Sequence, residues 1–205
     1  MRVVDRDYEI LREVERWRVC LSRHLRCLVG FGTQRACDRR LRVLLDSGFI
    51  TRQKILYGVP SLYSLTHKGK MLIGANKRQE KVRVENIVHD IAVLDVVIHF
   101  VKTMGVQLQD VTSEKELHMK DGFSVRKHRP DFIFTKDGRS YCVEVELTLK
   151  SKERLEKNIK VNFMDYDVQV WIIDEQNPKL VRNLNEFKTT YGLEIIPIKE
   201  VKNYV

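Results

Sequence analysis

The residues best suited to chemistry are three carboxylates in the second half of the chain. Asp131 begins one apolar segment, and Glu144 and Glu146 alternate with valines in the next. Asp137-Gly138 between these segments is a strong signal for a two-residue hairpin turn. If this turn sets the register, Asp131 lies opposite Glu144 at about 5 Å between Cβ atoms, and Glu146 shares their face. The same register pairs Lys136 with Arg139, Phe134 with Tyr141 and Phe132 with Val143.

Opposed carboxylates on a partly buried strand need compensation, because they repel each other and are costly to desolvate. Mg²⁺ is one answer, since it is bound by carboxylate oxygens and itself binds phosphate. Asp131 and Glu144 are then the candidate metal ligands. The alternatives are a proton shared by the carboxylates, pairing with Lys150, Lys152 or Arg129, or a solvated acidic face on an edge strand.

A second set of candidates is cationic and lies on one face of a predicted helix. Thr33 is expected to cap this helix, and Gly48 to end it. Arg35, Arg39 and Arg42 follow at i, i+4 and i+7, where like charges repel unless an anion lies along them. Duplex DNA could supply that anion; the alternative is an exposed helix with arginine chosen for helix propensity. The predicted DNA contacts here are Thr33, Gln34, Arg35, Arg39, Arg40 and Arg42.

The neighbouring elements predict a winged helix-turn-helix. Helices are expected over about 7–20 and from Ser22 to Gly30, before the arginine-bearing helix. Strands over 49–56 and 61–65 follow as a hairpin wing. The further DNA contacts predicted in and after the wing are Arg52, Lys54, Tyr57 and Lys68.

The charge distribution supports a nucleic-acid partner. Residues 1–80 hold 17 basic and 8 acidic residues, which accounts for the whole net charge of +9, and 13 of these basic residues are arginine. Arginine presents a planar fork suited to phosphate and guanine edges. The alternative is a solvated basic surface.

No stretch is apolar enough to span a bilayer, and residues 1–11 lack the apolar core of a signal peptide. We therefore expect a cytoplasmic protein without membrane contact. The cysteines lack the paired spacing of structural zinc sites, so buried thiols are favoured over zinc held by Cys20, His24, Cys27 and Cys37.

The second half of the chain predicts an α/β domain. The expected order is helix (84–103), strands (106–119, 131–135, 140–149), helix (152–165) and strand (168–173). A helix opened by Asn177-Pro178 and closed by Gly192, and a strand over 193–198, complete it. We expect a winged helix in residues 1–75, a linker in 76–83 and the α/β domain in 84–205.

These motifs resemble those of a known fold and family. Pro130-Asp131 followed by Glu144-Val145-Glu146 resembles the PD-(D/E)xK nuclease fold, restriction-endonuclease-like with an αβββαβ order. Over nearly the whole chain the sequence resembles the replication-relaxation family of plasmids, conjugative elements and phages. The other motifs that carry this likeness are Tyr63-Ser64-Leu65-Thr66 with Gly69, His89-Asp90-Ile91-Ala92-Val93, Ser113-Glu114-Lys115-Glu116-Leu117 and Thr148.

The resemblance implies double-stranded DNA binding, in company with a relaxase or another mobile-element protein. It also implies a nuclease-like centre in which Asp131 and Glu144 hold the metal and Glu114 is an upstream carboxylate. Glu146 stands where the nuclease pattern has a lysine, so no ammonium there can stabilise the developing charge. Lys150 is the candidate to reach in from the next turn.

Three functions follow as hypotheses. The first is an accessory DNA-binding protein whose second domain serves homodimerisation or partner contact and lacks full nuclease activity. The second is a metal-dependent DNA endonuclease. The third is a winged-helix transcriptional repressor with a ligand-sensing second domain.

Overall fold

The computed structural model describes residues 2–54, 60–75, 84–122 and 127–202. The chain divides into two compact units, residues 1–94 and 95–205. The predicted α/β class is confirmed, because helices accompany a three-stranded antiparallel sheet and a five-stranded mixed sheet. The predicted linker, 76–83, lies outside the described residues. Within the described ranges, no helix has both the length and the apolar character that a bilayer crossing requires.

The first unit has three helices followed by a hairpin and a fourth helix. Its strands pair in the order β1-β3-β2. The elements are α1 (Asp5–Trp17), β1 (Cys20–Leu21), α2 (Ser22–Leu28), α3 (Gln34–Asp46), β2 (Ile50–Gln53), β3 (Leu62–Leu65) and α4 (His67–Leu72). The helix α5 (Val84–Met104) follows, and the boundary between the units falls inside it.

The strand β1 was missed because its residues continue the apolar spacing of α1. The helix α1 ends at Trp17, where Arg18 takes a φ of +66°. Leu21 then pairs with Leu62 in β3, and the two pack with Ile87 of α5. Pairing with a strand some forty residues away therefore ended a helix that we predicted to run on to residue 20.

The second unit places helices around one mixed sheet, with strand order β4-β5-β6-β7-β8. The strands β4, β5 and β6 are antiparallel, whereas β6, β7 and β8 are parallel. The elements after α5 are β4 (Thr112–Ser113), α6 (Glu114–Asp121), β5 (Phe132–Lys136), β6 (Arg139–Glu146), α7 (Lys152–Asp165), β7 (Val168–Ile173), α8 (Pro178–Tyr191), β8 (Leu193–Pro197) and α9 (Ile198–Lys202).

The prediction of one long strand over 106–119 was wrong. Only Thr112 and Ser113 form a strand there, and α6 follows at once. The Ser113 hydroxyl accepts a hydrogen bond from the Glu116 backbone N–H (3.3 Å), and the Glu116 carboxylate accepts one from the Ser113 backbone N–H (2.7 Å). This reciprocal capping box starts a helix, and it outweighs the local strand propensity.

The hairpin register agrees with the sequence prediction. Lys136 pairs with Arg139, Phe134 with Tyr141 and Phe132 with Val143. The turn takes φ values of +51° at Asp137 and +75° at Gly138, as a type I′ turn requires. The apolar strip of this hairpin is therefore placed by its turn.

The two faces of the sheet pack against different helices. Phe100 of α5 lies 5.4 Å from Phe134 between ring centroids, on the face that carries the apolar strip of the hairpin. On the opposite side, Trp171 of β7 packs with Leu155 of α7 and Leu184 of α8. The odd and even residues of β6 therefore meet different surroundings, as its alternating side chains require.

Candidate nucleic-acid interface and carboxylate cluster

The helix α3 has one buried face and one cationic face. Cys37, Leu41 and Leu44 are fully buried, and the Thr33 hydroxyl caps the helix by accepting a hydrogen bond from the Ala36 N–H at 3.2 Å. The side chains on the opposite face, Arg35, Arg39 and Arg42, are exposed. Burial of the apolar stripe thus holds three guanidinium groups toward solvent along one line of the helix.

Gln34 begins α3 but is bound within the protein. Its amide donates to Asp38 Oδ1 at 2.9 Å and also to the Ser22 hydroxyl of α2. The Ser22 hydroxyl donates to Asp38 in turn. A base contact by Gln34 would therefore require exchange of these bonds. Asp38 is a carboxylate beside the arginine face that the sequence analysis did not weigh.

Arg40 serves the fold and points away from the arginine face. Its guanidinium pairs with both carboxylate oxygens of Asp7, a fully buried residue of α1. This hydrogen bonding raises the pKa of Arg40. We leave Arg40 out of the proposed DNA-binding surface, because its charge is already neutralised by a buried partner.

The wing and the turn after it carry further cations. Arg52 and Lys54 are exposed, and Arg52 lies opposite Tyr63 in the β2–β3 pairing. Tyr57 lies outside the described residues. Lys68 is exposed, but its ammonium donates to the Ser47 carbonyl at 2.8 Å and lies 4.6 Å from the Phe49 ring centroid. Arg52 also forms a side-chain hydrogen bond with Tyr63, so Lys54 is the wing cation most available to DNA.

In the second unit, Asp131 lies just before β5 and is not a ladder partner of Glu144. Pairing of β5 with β6 begins at Phe132, and the Asp131 backbone N–H donates to the Val143 carbonyl at 3.1 Å. The Asp131 carboxylate accepts a hydrogen bond from the Val145 N–H at 2.7 Å. The Asp131 carboxylate is thus held on the backbone of β6, and its charge still acts on Glu144, whose pKa it raises.

Glu144 is buried among protein donors. Its Oε1 lies 2.6 Å from His128 Nε2 and accepts a hydrogen bond from Asn162 of α7 at 3.0 Å. Burial raises the pKa of Glu144 and the charge of Asp131 adds to the rise, while His128 and Asn162 lower it. The net direction is upward, so the site makes ionisation of this carboxyl harder than in water.

The other three predicted catalytic residues, Glu114, Glu146 and Lys150, differ in their surroundings. Glu146 is buried and forms an ion pair with Lys150. Glu114 begins α6, and its backbone N–H donates to the Asp131 carbonyl at 2.9 Å. Its side chain is partly exposed and lies 3.5 Å from His118. The backbone therefore brings Glu114 close to Asp131, while Lys150 neutralises Glu146.

The cluster as it stands does not fit Mg²⁺. This ion requires near-octahedral oxygen coordination at about 2.0–2.1 Å, whereas Glu144 Oε1 and Asp131 Oδ2 are hydrogen-bonded to His128, Asn162 and the Val145 N–H. A lysine ammonium pairs with Glu146. In the part of the chain that the structure describes, no group of three histidine, cysteine or acidic side chains is arranged to hold a metal. Protein groups thus offset part of the desolvation and repulsion of these carboxylates, for which Mg²⁺ was one of the predicted answers.

Two of the three cysteines of the first unit, Cys20 and Cys37, are built into its core. Cys20 and Cys37 are buried, and burial raises the pKa of both thiols, to about 12 for Cys37. The ring of His24, also buried, accepts a hydrogen bond from the Leu21 N–H at 3.2 Å. The two thiols and the His24 ring are therefore part of the packed interior of the first unit.

His128 and Asn162 were missed by the sequence analysis. His128 stands two residues before Pro130, in a segment without a periodic pattern. Asn162 gave a usable signal, because it continues the buried stripe of Leu155 and Ile159 at helical spacing. A polar residue in such a stripe needs a buried partner, and Glu144 is that partner.

No family model matches this chain, and no curated protein is significantly similar to it. The resemblance to the replication-relaxation family therefore stays a prediction.

Proposed function

We propose that the chain is a duplex DNA-binding accessory protein of a mobile element, acting in replication, relaxation or mobilisation without full nuclease activity. The observation that carries the proposal is the exposed line of Arg35, Arg39 and Arg42 on α3. Arginine on an exposed helix that begins with a capped turn is suited to phosphates and base edges in the major groove. The assignment to a mobile element is supported by the motif resemblance alone.

The proposed mechanism is electrostatic docking followed by groove contact. Binding of phosphates by arginine releases condensed counterions, so affinity should fall steeply with salt. The buried face of α3 limits its rotation, which keeps the three guanidinium groups on the DNA side. Arg52 and Lys54 of the wing would contact the backbone beside the groove.

Replacement of Arg35, Arg39 and Arg42 together by alanine tests the proposal. Electrophoretic shift with plasmid-origin duplex should show affinity lowered by about a hundredfold or more, with a salt slope shallower by about 3. The matched control replaces Arg154, Lys179 and Arg182, which are exposed in the second unit, and so removes the same charge. Equal binding by the two triple variants would refute the placement of the interface on α3.

The second unit is proposed to contact a relaxase, another mobile-element protein or a second copy of the chain. Phe163 and Met164 near the end of α7 support a protein contact, because they are 50% and 80% exposed and adjacent apolar side chains are seldom left in water without a use. Sedimentation of the wild-type chain distinguishes self-association from contact with a different protein. Replacement of both residues by aspartate should abolish the contact while DNA binding persists.

A metal-dependent endonuclease is the less favoured function. The carboxylates that it needs are bound to His128, Asn162 and the Val145 N–H, and Glu146 pairs with Lys150. Binding of a cation at these carboxylates would require exchange of such hydrogen bonds.

A further inference from the structure

A groove lies beside the arginine face, between α3 and the N-terminal turn of α1. It has a volume of about 570 Å³. Its apolar lining includes Phe31, Ala36 and Val43, and its charged lining includes Arg6, Arg39 and Asp5. The groove therefore joins an apolar floor to three arginines, Arg6 of α1 and Arg39 and Arg40 of α3.

Arg6 and Arg39 are the two exposed arginines of the groove, and they are differently placed. Arg39 belongs both to the groove and to the exposed line on α3. Arg6 is exposed, and its guanidinium carbon lies 4.9 Å from the centroid of the Phe31 ring. Stacking on an aromatic ring restricts a flexible side chain while its N–H groups stay available at the edge. Arg6 is thus oriented for an anion before any ligand arrives.

The walls of the groove are tied together by the Arg40–Asp7 pair. Arg40 reaches from α3 to Asp7 of α1, and the Asp7 carboxylate also accepts a hydrogen bond from the Val4 N–H at 2.9 Å. Because Asp7 is fully buried, this contact fixes the approach of α1 to α3. The packing of α1 on α3 therefore fixes the distance between the backbones that carry Arg6 and Arg39.

We propose that this groove binds the sugar–phosphate backbone of the strand that borders the major groove entered by α3. Arg6 and Arg39 contact phosphates, and the apolar floor meets the C–H edges of deoxyribose. This inference rests on the DNA-binding function proposed above and adds a contact outside the recognition helix. Asp5 opposes the phosphate charge, so its removal should strengthen binding.

Fluorescence anisotropy with labelled duplexes of origin and unrelated sequence tests the groove, measured over a range of salt concentrations. Arg6→Ala should weaken binding to every duplex by about three- to tenfold and reduce the salt slope by about 1. Arg6→Lys should keep the slope, since it keeps the charge. Asp5→Asn should bind more tightly than wild type.

The matched control is Arg12→Ala, because Arg12 is exposed on the same helix and does not line the groove. This variant should bind like wild type. If Arg6→Ala equals Arg12→Ala while the α3 triple variant loses binding, the groove assignment fails and the proposed function stands. A wild-type chain that binds no duplex overturns both. Circular dichroism of each variant verifies that the fold is intact.

Discussion

At the scale of single residues, the carboxylates of the second unit illustrate how neighbours decide the state of an acid. Glu144 is buried beside Asp131, yet it has a histidine and an asparagine as partners. Hydrogen bonds from donors replace part of the water that burial removes. Protein groups therefore stabilise the cluster. Burial and the charge of Asp131 still disfavour ionisation of Glu144.

Replacement of Glu144 by glutamine should make stability less dependent on pH. Because the pKa of Glu144 is raised in the folded state, the folded chain holds this proton more tightly than the unfolded chain. Wild-type stability from this group is complete below the ordinary pKa of about 4.3 and falls as pH rises through the folded-state pKa, by about 1.4 kcal/mol for each unit of difference. The glutamine side chain has no such loss, and its Oε1 can still accept from Asn162.

Urea unfolding from pH 4 to 8 measures this prediction. The glutamine variant should gain on wild type as pH rises, and the gain should shrink toward pH 4. Replacement of the exposed Glu194 by glutamine, also in the second unit, is the control. A difference between wild type and the Glu144 variant that grows toward acid would show that the folded-state pKa lies below its ordinary value.

At the scale of elements, the contact between α1 and α3 determines what the arginine face can do. The pair formed by Arg40 and Asp7 is buried at the aspartate and about a quarter exposed at the arginine. Loss of Arg40 leaves the buried Asp7 carboxylate without its cation and with the Val4 N–H as a remaining donor. Burying an unpaired charge costs more free energy than the pair contributes. The same contact also bounds the groove beside α3.

Arg40→Ala should lower the free energy of unfolding by about 2 kcal/mol, because the Asp7 carboxylate loses its cation. The control is Arg42→Ala on the same helix, whose side chain is exposed and whose removal should change stability by less than about 0.5 kcal/mol. Thermal and urea unfolding measure both variants. In DNA binding the order should reverse when each variant is assayed well below its unfolding midpoint, since Arg42 belongs to the exposed arginine line of α3 whereas the Arg40 guanidinium is bound by Asp7. Equal stability of the two variants would contradict the role given to Arg40.

At the scale of the whole molecule, the two units differ in charge. The cationic excess lies in residues 1–80, while the rest of the chain is balanced with 20 basic and 20 acidic residues. Long-range attraction to a polyanion therefore originates in the first unit. The second unit contributes a sheet whose buried carboxylates are hydrogen-bonded by protein groups, so the DNA binding that we propose requires only the first unit.

Supercoiled plasmid incubated with the protein and Mg²⁺ or Mn²⁺ should remain uncut at protein concentrations that shift the same DNA. Thermal unfolding in either ion should match unfolding in EDTA, because the carboxylates are already bound to N–H groups. Asp131→Asn is the comparison variant. Nicking, or a rise in unfolding temperature that depends on the ion and disappears in Asp131→Asn, would restore the endonuclease hypothesis.

Local patterns alone determined several features of this protein. The Asp137-Gly138 turn placed the hairpin register, Thr33 and Ser151 placed the starts of α3 and α7, and apolar spacing predicted which face of α3 is buried. These features depend on residues within a few positions of one another. Their physical causes are turn geometry, capping and the 3.6-residue period.

Only the tertiary structure decided which polar groups find partners. The strand β1 exists because Leu21 meets Leu62, and Arg40 on the flank of the arginine face is bound by Asp7 because α1 packs within its reach. Glu144 finds its partners in His128 and Asn162, which lie 16 and 18 residues away along the chain. Such pairings join segments that are distant in sequence. No local repeat of apolar or polar residues predicts which of these segments will meet.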